Sequence, residues 1–209
     1  LQPPPLDIEE SNHRFNQYLN LSTPTNTPLI VNPADLHPRF EPLMRKRIVE
    51  GISKRLQVIA LSAREQGREV LLRSPSEETL ELTLEIFAHT LAQPGVASWG
   101  HFGLCLAACS KRALPTLGLL EHLGRQLDVK IPIQLLTGAP DPIEISIAQH
   151  LGYAQYPVMT DPVHCQIALE LCDSFLQSTN NTRLRAQVRH HGSFPDGYTA
   201  PVPPTDIYL

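Results

Sequence analysis

The chain has 209 residues, 42% hydrophobic and 18% charged, with a formal net charge of -4 and a pI near 6.1. That length supports one sizeable core with extra arms. The acidic balance excludes a nucleic-acid partner, which needs a basic face, and no apolar run reaches the roughly 18 residues of a membrane span.

In chain order, residues 1–37 read as a proline-rich arm with one amphipathic piece around Asn12 to Leu19. The chain opens without Met, which reads as a processed chain or a piece of something longer. No basic leader precedes an apolar stretch, so no signal peptide is expected. Residues 38–66 read as helix, with Pro42 near the first turn and Leu43, Ile48, Ile52, Leu56, Ile59 and Ala63 on one face. "EVLLRS" (69–74) is a short strand. The next helix should start at Ser74 or Ser76 as N-cap, with acids in its first turn, and Leu80, Leu84, Phe87 and Leu91 form its buried stripe. "FGLCLAAC" (102–109) is apolar on both faces, as a strand of a covered parallel sheet should be.

The alternation continues with the helix "ALPTLGLLEHLGRQL", the strand "IPIQLLTG" and the helix "DPIEISIAQHLG". It ends with the strand "YPVMTD" and the helix "VHCQIALELCDSFLQ". Four strand–helix units in a row give a parallel sheet with helices outside. The expected strands lie near 69–73, 103–108, 131–136 and 157–160. Four units do not close an eight-stranded barrel, and no strand pattern is read past Gln177. The expected fold is α/β: a partial (βα)8-barrel-like open sheet over residues 38–177. Proline-rich arms flank it at 1–37 and 178–209, and its open edges point to a chain that associates with itself or a partner.

Cys105, Cys109, Cys165 and Cys172 sit in apolar segments and read as reduced buried thiols of a cytoplasmic protein, not a metal site. His164 with Cys165 could form a nucleophilic pair, but no orienting group is evident, and packing is preferred. His190-His191 is read as a solvated loop in preference to a metal site. Asp141 and Glu144 are read as complements to a helix dipole. The basic runs 45–47 and 183–191 are read as solvated helix faces.

The stretches "LELTLEIF", "WGHFGLCLAACSKR", "IPIQLLTGA" followed by Glu144, Ala148, Gln149, Gly152 and "YPV", and then "ALELC", lie in one order and spacing. Over residues 55–177 that series resembles proline dehydrogenase, most closely the barrel domain of bifunctional proline utilisation A proteins. "PPTDIYL" at the end resembles the linker into their aldehyde dehydrogenase module. The resemblance implies a distorted (βα)8 barrel around FAD that oxidises proline to pyrroline-5-carboxylate by hydride transfer, with charges at the strand ends orienting the cofactor.

The departures from the family pattern fall at those strand ends. Arg73 stands in place of an aspartate and Ala107 in place of a glutamine. Gln134 and Thr137 replace the flavin-facing arginine and lysine, and Pro140-Asp141 replaces an aromatic pair. Thr160 is kept, but the arginine and lysine expected after it are Asp161 and Pro162. Nothing after Gln177 is matched to the histidine-bearing strand or to the paired arginines that clamp the substrate carboxylate. Gly138 and Ala139 are kept, with the tight turn they permit.

The expectation is a degenerate, non-catalytic proline dehydrogenase-like domain without cofactor or metal, associated with an aldehyde dehydrogenase module in cis or trans. The alternative is an FAD-dependent proline dehydrogenase.

Overall fold

Five parallel strands lie side by side in chain order: β1 (Leu29–Val31), β2 (Val70–Arg73), β3 (Phe102–Ala107), β4 (Ile131–Gly138) and β5 (Leu184–Gly192). They come from a computed structural model that describes residues 4–20, 27–179, 184–192 and 194. The helices are α1 (Ile8–Leu19), α2 (Arg45–Glu65), α3 (Leu80–Leu91), α4 (Ala113–Leu127), α5 (Pro142–His150) and α6 (Pro162–Ser178). Among the described residues no helix is long and apolar enough to cross a membrane.

The two faces of the sheet have different fates. Val31, Val70, Leu72, Phe102, Leu104, Ile133 and Leu135 point to the helices and join one core. Alternate residues of the same strands point the other way, where Leu71, Cys105 and Leu136 form a small separate cluster. In α2, Ile48, Ile52, Leu56, Ile59 and Ala63 are buried at helical spacing. Phe87 of α3 stacks on Phe102 of β3 with ring centroids 5.2 Å apart. Each fully buried side chain of this size contributes about 1.5–3 kcal/mol by leaving water. Gly103 is required by packing: an added Cβ would lie 1.9 Å from the Pro132 carbonyl oxygen of the neighbouring strand.

The α/β class and the parallel sheet agree with the sequence reading, and three of the expected strands are β2, β3 and β4. The fourth is corrected. Residues 157–160 do not enter the sheet. Val158 makes a single antiparallel bridge to Ser110. The Lys111 N–H donates to the Pro157 carbonyl at 3.0 Å, and the Met159 N–H donates to the Cys109 carbonyl at 2.7 Å. The physical reason is that the free side of β4 is already taken, since β5 pairs with it from Ile131 to Gly138.

The reading that no strand follows Gln177 is therefore also corrected. The basic run read as a helix face is largely an edge strand, and His190 and His191 lie within it. Their side chains and residues 195–209, with the linker-like tail, lie outside the described residues.

The N-terminal stretch contributes to the domain as well. β1 pairs with β2 through Leu29, Ile30 and Val31, and α1 is pinned by a buried ion pair. Arg14 Nη1 donates to Asp35 Oδ1 at 2.8 Å, and the Tyr18 hydroxyl donates to Asp35 Oδ2 at 2.6 Å. Arg55 of α2 adds a bond to Ser11 Oγ at 2.9 Å and stands over the Phe15 ring at 5.5 Å.

Two helix starts shift. α2 begins at Arg45, because Pro42–Met44 form a separate 3-10 turn. α3 begins at Leu80 with Thr79 before it, because Ser74, Ser76 and Thr79 bond one another in a turn.

Candidate functional site

The carboxyl ends of β2, β3 and β4 open into a cleft lined by Arg73, Ser76, Glu77, Ala107, Thr137 and Glu144, among others. Strand ends in a parallel sheet are where such a fold presents its loops and its chemistry. The cleft volume is about 80 Å³. Gly138 closes β4 at φ +114°, a conformation that strains any other residue. That turn brings Ala139 to the rim and lets Asp141 begin α5, where its Oδ1 accepts from the Ile143 N–H at 3.1 Å.

Of the residues singled out from the sequence, Arg73, Ala107, Thr137, Gly138 and Ala139 line this one cleft. Gln134 lies one pleat deeper, 4% exposed, beside Cys105. Thr160 is not brought to it. The segment bearing Thr160 leads into α6, whose N-cap Asp161 accepts from the Val163 and His164 N–H groups at 2.8 and 3.2 Å. Cys165 donates its thiol to the Met159 carbonyl at 3.2 Å, which is a packing role, and His164 is exposed. No group of three metal ligands exists among the described residues.

Glu144 is the residue that sequence reasoning undervalued. Asp141 does the capping, whereas Glu144 is buried on the cleft wall. Its Oε1 accepts the Glu77 N–H at 2.9 Å, tying α5 to the loop after β2. Burial pushes its carboxyl up to about 7. The Glu77 N–H opposes that rise, the charges of Glu77 and Asp141 add to it, and Arg112 offsets them. Arg112 Nε pairs with Glu77 at 3.3 Å and Arg112 Nη1 with Glu81 at 3.6 Å. The available signal was Glu144 just inside a proline-started helix that follows a strand end, but nothing local marks it as buried. Cys105 and Cys109 are also held as thiols, each pushed up to about 12, chiefly by burial.

The arrangement offers a buried acid that titrates near neutrality, a guanidinium and small polar groups. No described pair is set out as nucleophile and base.

Comparison with known proteins places this site in context. The proline dehydrogenase family profile matches residues 6–193. The bifunctional protein PutA of Escherichia coli (strain K12) is 27% identical over 146 residues, covering 70% of this chain and 11% of that protein. The bifunctional protein PutA of Rhizobium meliloti is 26% identical over 133 residues, covering 64% and 11%. The chain thus aligns with only 11% of the length of these relatives.

A crystal structure of a bifunctional proline utilization A protein has a TM-score of 0.80 at 28% identity, covering 88% of this chain and 20% of that one. The Bdellovibrio bacteriovorus protein inactivated by N-propargylglycine has a TM-score of 0.78 at 19% identity, covering 90% and 22%, a likeness of fold alone.

Proposed function

The chain belongs to the proline dehydrogenase family, and from that membership we propose that it is a non-catalytic member, a structural or interaction domain that works beside an aldehyde dehydrogenase module. The observation that carries this reading is the cleft at the strand ends. Its volume of about 80 Å³ is well below the roughly 300–1,000 Å³ usual for pockets that enclose a small organic ligand. Its lining also does not fit a flavin held by charge. On the cleft wall Ala107 supplies only a methyl group and Thr137 a neutral group where the family resemblance implies a lysine, and Gln134, one pleat beneath, is neutral where it implies an arginine. Losing several charge-assisted contacts at once removes the interactions that would orient the cofactor.

Association is part of the same proposal. β1 and β5 are the outer strands of the described sheet, and Val163, Ile167 and Leu171 on α6 are 65%, 47% and 53% exposed. The matched relatives are named bifunctional, which favours a partner module in cis or trans, and self-association is the other arrangement of this kind. Four free cysteines favour a reducing compartment such as the cytoplasm.

Flavin titration tests the reading. Purified chain is titrated with FAD and followed by flavin fluorescence and calorimetry. No saturable binding is expected. A dissociation constant below about 10 μM, with proline-dependent bleaching of the bound flavin, would instead establish an active dehydrogenase.

A further inference from the structure

Two helices of the outer layer carry apolar stripes turned away from the core. On α6, Val163, Ile167 and Leu171 are 65%, 47% and 53% exposed. They recur every four residues and so line one side of the helix. On α2, Val58 and Leu61 are 48% and 37% exposed and lie about one turn apart.

The charges beside the two stripes are opposite. The first half of α2 exposes Arg45, Lys46, Arg47 and Lys54 against Glu50. Arg45 is taken by Glu85, whereas Arg47 and Lys54 make no ion pair among the described residues. α6 carries Glu170 and Asp173 and no lysine or arginine. Glu170 accepts from Gln166 Nε2 at 3.0 Å and Asp173 from Gln177 Nε2 at 2.6 Å. These amides are neutral, so both negative charges stay uncompensated.

The order of the features matches when the two helices run antiparallel. Along α2, Lys54 is followed by Val58 and Leu61. Along α6 in reverse, Glu170 is followed by Ile167 and Val163. Each series spans roughly 10 Å of helix. Lys54 then faces Glu170, Val58 faces Ile167 and Leu61 faces Val163. One turn beyond Lys54, the exposed Gly51 has open space around it, which lets a second helix approach and leaves Arg47 within reach of Asp173.

One molecule does not make this contact with itself. α2 leads into β2 beside α1 and α3, and α6 leads into β5 beside α4, so the two helices stand toward opposite edges of the sheet. A second copy supplies the missing half. Each copy added in this way still presents one unused stripe, so the contact repeats, as head-to-tail interfaces do, into a ring or an open chain.

We propose that α2 and α6 are the two halves of a head-to-tail interface between copies of this chain, with Val58 and Leu61 packed on Ile167 and Val163 and Lys54 paired with Glu170. The contact gives the interaction-domain reading a surface and rests on that reading. One pair of surface helices buries less than the roughly 1,200 Å² of a stable interface, so the contact is weak, with a dissociation constant on the order of 10–100 μM.

The test is sedimentation velocity with light scattering on the full chain, under reducing conditions, from about 5 to about 500 μM. The average mass should rise with concentration and pass that of a dimer. K54E and E170K should each weaken association by about tenfold, and the double variant K54E/E170K should recover most of it, which a general loss of surface quality would not do. I167E should weaken association as well. Raising NaCl from about 20 to about 200 mM should weaken the wild type, as screening requires. All three positions are exposed, and circular dichroism checks that each variant is folded.

A monomer throughout this range overturns the proposal. So does a species that stops at the dimer without closing into a ring that uses both helices, shown by association that K54E and E170K leave unchanged. An FAD titration runs alongside. A monomer that binds no FAD overturns this contact alone, whereas FAD binding by a chain that still assembles overturns the non-catalytic reading alone.

Discussion

Glu144→Gln isolates a buried acid whose titration falls near neutrality. The carboxyl is held up to about 7 in the folded chain, first by burial, against an ordinary value of 4.5. Between those two values the folded chain keeps a proton that the unfolded chain has released. Stability therefore falls as pH rises across that window, and the contribution of the protonated group is full below 4.5 and lost by about 7.

The ceiling, set by moving the carboxyl from 4.5 to about 7, is roughly 3 kcal/mol. The cleft opens to solvent, and water there reduces the effective penalty, so about 1–2 kcal/mol is expected. Glutamine keeps a carbonyl oxygen able to accept the Glu77 N–H and has no proton to lose. Urea denaturation of both proteins at several pH values measures the difference, because titrating groups that do not interact with Glu144 cancel between them. The two should match near pH 4.5, and E144Q should be more stable by about 1–2 kcal/mol above pH 7.5. Parallel curves, or a gap that widens toward low pH, would refute the buried-acid account.

The core and the N-terminal anchor give further tests. Phe87→Ala removes a fully buried ring stacked on Phe102 and should cost about 3–5 kcal/mol, read as a melting temperature lower by roughly 10 °C. Gly103→Ala drives a methyl against the Pro132 backbone; a loss of about 3 kcal/mol or outright misfolding is expected, and a wild-type melting curve would disprove the close approach of β3 and β4. Asp35→Asn removes one of the two carboxylates paired with Arg14 and leaves Glu10 at 2.5 Å, and should cost about 2 kcal/mol. Hydrogen exchange should accelerate in α1 ahead of β3 and β4, and uniform exchange would show that α1 is not docked through this pair.

Local pattern alone determined the middle of the chain. β2, β3 and β4 are continuous apolar runs between turn residues, and α2, α3 and α4 repeat apolar residues at helical spacing. Each signal reports burial on faces that the segment itself defines. The turn at Gly138-Ala139 and the helix start at Asp141 were legible for the same reason, because turns and helix starts are short-range devices.

The edges and the far side of the sheet were decided by tertiary structure. β1 has three residues, too few to show a period, and becomes a strand only because β2 offers it hydrogen bonds. β5 alternates Leu184, Ala186 and Val188 with Arg185, Gln187 and Arg189. Its polar members concealed a strand that buries Leu184 and leaves Val188 exposed, and β4 supplies its register. Residues 157–160 carried the stronger strand signal and lost, since a strand needs a free neighbour and β5 already occupied the edge of β4. The same pairing set Arg73, Cys105, Gln134 and Gln187 in one row and buried Glu144 beside Glu77. Residues from distant segments acquire a shared electrostatic environment only when backbone pairing sets their register, and no local run of sequence encodes that register.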